Sequence, residues 1–145
     1  MLKKTAILLL LVLAATTANL ANTKLQISAA DNATNAQVYE LRTYHCNPGK
    51  LEVLHARFRD HTNYLFVKHG MKLIGYWTPA DGDDAENTLI YIIAHENRDA
   101  AKKSWAEFSA DPAWQVVAKE TNKDGAILTG VDSVYMNPTD YSPIR

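Results

Sequence analysis

Residues 38–58 read VYELRTYHCNPGKLEVLHARF and set His45 directly before Cys46, the one cysteine of the chain. A thiol becomes a nucleophile only with a base within hydrogen-bond reach. VYELRTYH alternates as a strand does, with Tyr39, Leu41, Thr43 and His45 on one face and Val38, Glu40, Arg42 and Tyr44 on the other. Neighbours along a strand point to opposite faces, so His45 and Cys46 share neither a proton nor a metal. CNPG then reads as the turn that closes the strand. The remaining histidines fit a metal site no better. His55, His61 and His69 lie six and eight residues apart, whereas two ligands on one helix face need a spacing of four. No metal is expected.

More chemistry is offered by polar residues set among apolar ones. Leu51, Leu54, Phe58, His61 and Leu65 recur at steps of three and four, so the spacing predicts that His61 faces a sheet rather than water. There it is either a buried histidine with its hydrogen bond satisfied or a group that orients a ligand and moves a proton near neutral pH. Glu40 and Arg42 share a strand face and are expected to form an ion pair. If they line a cavity instead, Arg42 suits a carboxylate or phenolate, and Tyr44 beside it can donate to an oxyanion. Trp77, at the end of a strand before Thr78–Pro79, is placed to edge a pocket. Trp105 and Trp114 read as core rings whose N–H groups need partners. His95 completes no metal pattern, and neither His61 nor His95 sits in a haem-attachment motif. No G-x-G-x-x-G follows the first strand and no phosphate-binding loop occurs, so no cofactor is expected.

The elements that must hold these residues follow from periodicity and punctuation. A helix is predicted from Gly49 to His69, ending at Gly70. MKLIGYWTP is a second strand, and TLIYIIAHE, nearly continuous in apolar residues, is a central one. Asn97 caps a helix from Arg98. Asp111 caps, and Pro112 opens, a further segment running to about Lys123. GAILTGVDSVYMNP is the last strand. The order is β-α-β-β-α-β, an α+β ferredoxin-like pattern: a four-stranded antiparallel sheet with helices on one face. Since Glu40, Arg42 and Tyr44 share one face of the first strand and Leu41 sits on the other, the uncovered face is expected not to be plainly apolar.

Before this domain, Lys3 and Lys4 precede an apolar run from Ala6 to Ala15, the pattern of a signal peptide and shorter than the ~20 residues of a membrane span. The expected organisation is a signal peptide over residues 1–21, a disordered leader over 22–37 and one domain over 38–145, exported to the periplasm or beyond. Without Lys3 and Lys4, 13 basic residues stand against 16 acidic ones, a net charge of −3. No basic patch marks a nucleic-acid partner.

YELRTYxxxPGK, ARFRDHTxxLFxKHGM, IGYW, NTLIYIIAH and WAEFSADPAWQ together resemble the NIPSNAP domain in order and spacing, across residues 38–143. The closing PTDYSP resembles the end of bacterial members. The resemblance implies a dimeric α/β barrel in which two ferredoxin-like subunits pair their sheets, an architecture that also hosts cofactor-independent monooxygenases. A fold does not fix a function. The expectation is a homodimer that binds a small aromatic or apolar molecule between helix and sheet, with oxygenase-like turnover as its enzymatic extension. Arg42, Tyr44, His61, Trp77, Glu40 and His95 are the candidate ligand-binding residues. The rival expectation is a non-enzymatic dimeric scaffold.

Overall fold

The computed structural model describes residues 37–144; the expected signal peptide and nearly all of the expected leader lie outside the described residues. Strand β1 (Val38–Cys46) leads through Asn47–Lys50 into helix α1 (Leu51–Arg57), a π-helical turn (Phe58–Thr62) and α2 (Asn63–Lys68). Strands β2 (Lys72–Trp77) and β3 (Thr88–His95) follow, then α3 (Arg98–Ala110), α4 (Pro112–Thr121) and β4 (Leu128–Met136). The sheet order is β2-β3-β1-β4 with every neighbouring pair antiparallel. This is the ferredoxin-like α+β arrangement, with β3 inserted between β1 and β2.

Local chemistry sets the boundaries. Gly70 takes a φ of +78° just past α2, a conformation that costs glycine least. The Asn97 side chain accepts from the Ala100 N–H at 2.8 Å, and Asp111 accepts from the Ala113 N–H at 2.9 Å with Pro112 at the first helical position. Asp111 also receives Lys68 Nζ at 2.6 Å and His69 Nε2 at 2.8 Å, which ties the end of α2 to the α3–α4 corner.

The core lies between the helices and the face of β1 that carries Tyr44 and Cys46, where Leu54, Phe58, Phe66 and Tyr91 are buried. Two expectations are corrected here. His61 is exposed, and Thr62 is buried in its place. The cause is the π turn: the N–H of Asn63 reaches back five residues to the Phe58 carbonyl, so one extra residue is accommodated and the apolar stripe resumes one position late. The open face of the sheet is also more apolar than expected. Glu40 and Arg42 point toward the helices, while Leu41, its cross-strand partners Ile92 and Val134, and Ile90 line the other side. Among the described residues no helix covers that side; the tail residues Pro138 and Ile144 lie with Ile92 and Met136 around a small cavity there.

Candidate functional site

Strand β1 delivers two polar arrangements to the helix side of the sheet. The first centres on Glu40, which is fully buried. Its Oε1 accepts from Arg42 Nη1 and Ser133 Oγ, both at 2.7 Å, and its Oε2 accepts from His95 Nε2 at 3.0 Å and Trp105 Nε1 at 2.6 Å. Burial alone would push this carboxyl up, but the donors from His95, Trp105, Ser133 and Arg42 outweigh it and hold the pKa at about 2. An ionised carboxylate only accepts, so the Nε2 of His95 carries the proton and its buried Nδ1 is left without a hydrogen-bond partner. Arg42 is further held by the Trp105 ring, whose centroid lies 4.3 Å from the guanidinium carbon. Glu40, Arg42 and His95 are thus joined in one cluster, with Arg42 paired to Glu40 through Nη1 while its buried Nε has no hydrogen-bond partner among the described residues.

The second arrangement lies further along β1, where a cavity of about 260 Å³ opens between sheet and helices. Its walls include Tyr44, Phe58, Phe66, Phe108 and Trp114, and one charged residue, Arg57. Arg57 is only 5% exposed. Its Nε has no hydrogen-bond partner, and among the described residues the guanidinium makes no ion pair. Trp114 lies beside it, with its ring centroid 5.3 Å from the guanidinium carbon. Burial lowers the pKa of Arg57 against the nearby Tyr44, Cys46 and Tyr91, which raise it; a guanidinium nonetheless stays charged. Tyr44, one of the lining residues, accepts from the Tyr91 hydroxyl at 3.0 Å, which leaves its own O–H available to donate. The π turn belongs to the same corner. Thr62 Oγ1 donates to the Arg57 carbonyl at 3.1 Å, closing a backbone group next to the stretched helical ladder.

The remaining sequence candidates are dispersed. His61 is on the outer side of the helix and reaches neither cavity. Trp77, half exposed, edges a separate cleft together with Phe58 and Tyr76. His45 bonds the exposed Asp132 at 2.9 Å, and Cys46 is buried with its thiol pKa raised by that burial. Among the described residues no cluster of His, Cys, Asp and Glu could hold a metal, and no helix is long and apolar enough to cross a membrane. Sequence reading missed Arg57. Its signal was its place three residues after Leu54 and directly before Phe58, on the edge of the buried stripe.

Compared with known proteins, residues 39–143 match the NIPSNAP family model. The chain belongs to the NIPSNAP family. Solved structures share the fold: a NIPSNAP family protein of unknown function from Agrobacterium tumefaciens is 23% identical, covering 77% of this chain and 96% of that one, with a TM-score of 0.66. A second from the same organism is 20% identical over 75% of this chain and 99% of that one, at 0.66. A NIPSNAP-like domain protein from Burkholderia xenovorans is 19% identical over 75% and 90%, at 0.65. No curated protein matches the chain.

Proposed function

We propose that this NIPSNAP domain binds a small aromatic acid in the cavity between its helices and sheet. The observation that carries the reading is Arg57: a buried guanidinium with no carboxylate among the described residues to balance it, set among aromatic rings. Buried charges are ordinarily paired, so the missing anion is supplied by the ligand. Arg57 therefore takes the role expected of Arg42, and Tyr44 supplies a second donor. Phe66, Phe108 and Trp114 form the walls against which a ring packs. A cavity of this size suits one ring with a carboxylate or phenolate head.

Titration with benzoate, followed by tryptophan emission in the parent and in Trp114→Phe, tests this. Saturable binding in the parent, weakened at least about tenfold in Arg57→Leu, is the expected result, the equivalent of one charged hydrogen bond. No spectral change and no rise in melting temperature at high benzoate would sink it. An oxygen-consumption trace with phenol as probe separates binding from cofactor-independent turnover.

A second reading, a dimeric scaffold, is favoured by the open sheet face, where Leu41, Ile90, Ile92 and Val134 present a contiguous apolar surface. Such a surface is the mark of an interface, and a second copy of the chain is the occupant we infer. The two readings are compatible, because the Arg57 cavity lies on the helix side of the sheet. Export rests on the Lys3–Lys4 and Ala6–Ala15 pattern, and N-terminal sequencing of protein recovered from outside the cytoplasm tests it.

A further inference from the structure

A second cavity, of about 450 Å³, lies between the π turn and β2 and is lined by His55, Phe58, Arg59, Asn63, Tyr76 and Trp77, among others. Phe58 is common to its wall and that of the Arg57 cavity, yet the chemistry on offer differs. Two buried polar atoms here lack a hydrogen-bond partner among the described residues: Oδ1 of Asn63, from the helix, and the hydroxyl oxygen of Tyr76, from the strand. Native proteins leave few such atoms unpaired, and two of them on residues that line one cleft point to a place where something else completes the bonding.

The donor and acceptor pattern limits what that is. Burial holds the Tyr76 hydroxyl in its protonated form, with its pKa above the usual phenol value, so it donates. Asn63 Oδ1 accepts. A carboxylate has no donor for Asn63, and an ammonium, although it can donate to both oxygens, offers no acceptor of its own and meets the like charge of Arg59 on the same wall. A carboxamide or an alcohol has both. Phe58 and Trp77 add ring surface for a flat apolar body. The Trp77 ring lies across Gly75, where a Cβ would meet it at 2.6 Å.

We infer that this cleft is a second binding site, for a neutral aromatic molecule bearing a carboxamide or hydroxyl group, read out by Asn63 and Tyr76. The site stands apart from the acid-binding cavity and does not depend on it.

The probe is benzamide, titrated into the full chain and followed by amide NMR, in the parent and in Tyr76→Phe, Asn63→Leu and Arg57→Leu. Benzamide should bind saturably, shift the Asn63 signals, and weaken about tenfold in each of the first two variants, the loss of one hydrogen bond to a buried group. Arg57→Leu should leave it unchanged while removing benzoate. Tyr76→Phe takes away an oxygen that the free protein leaves unpartnered, so it should melt no lower than the parent, and it decides the matter if Asn63→Leu fails to fold. Benzamide that does not bind, or that binds Tyr76→Phe as well as the parent, overturns the proposal; so does a crystal soaked in benzamide that shows only an ordered water bridging the two atoms. Failure of benzoate alone removes the Arg57 reading and leaves this one standing.

Discussion

At the scale of single residues, two buried charges behave oppositely. Glu40 is ionised and surrounded by donors, whereas Arg57 is charged and makes no ion pair among the described residues. For Glu40 the folded-state pKa of about 2 lies below the ordinary 4.5. Its contribution is therefore complete above pH 4.5 and is lost as pH falls toward 2, an order of about 3 kcal/mol. Urea melts across that window should show the loss in the parent, and a flatter profile in Glu40→Gln, which should itself be destabilised by about 3–5 kcal/mol at neutral pH. For Arg57 the sign reverses. Arg57→Leu replaces an unpaired buried charge with apolar volume and should raise the melting temperature while removing benzoate binding, the usual opposition of stability and function. Neither cluster was legible as such. Glu40 meets His95, Trp105 and Ser133 across separations of 55, 65 and 93 residues, and no local pattern encodes which of many polar residues will converge. The Glu40–Arg42 pair was legible because it spans two positions of one strand.

At the scale of elements, the sequence spoke clearly wherever local chemistry decides. Asn97, Asp111–Pro112 and Gly70 announced their caps, and the four strands and three helical segments expected all form. The exception is the π turn, which has no side-chain signature: Phe58 to Thr62 contain no proline or glycine, and the 3.6-residue stripe runs smoothly through His61. The turn is chosen by packing, because it brings Thr62 rather than His61 inward. Strand β2 carries a similar device, a register shift between Leu73 and Gly75, after which Trp77 lies across Gly75. Gly75→Ala should push the Trp77 ring off the strand, since the new methyl would sit 2.6 Å from it. A shift in tryptophan emission and a stability loss of about 1–2 kcal/mol are expected, modest because the half-exposed ring can move.

At the scale of the whole molecule, the sheet has one face packed by the helices and one that no helix covers among the described residues. Val134, 54% exposed on an edge strand, lies in the apolar face opposite Leu41. Val134→Glu should leave the melting curve of an isolated domain within about 0.5 kcal/mol but lower the sedimenting mass if two copies pair through this face. An unchanged mass in both proteins would remove the scaffold reading. The topology has a consequence in time as well as in space. Strand β1 sits inside the sheet between β3 and β4, so the strand formed earliest along this domain cannot gain its second neighbour until the latest one has arrived. Loop closure over such separations slows folding, and Ser133, the final donor to Glu40, comes in only with β4. Pairing of the last strand is thus what completes both the sheet around β1 and the bonding of the buried carboxylate.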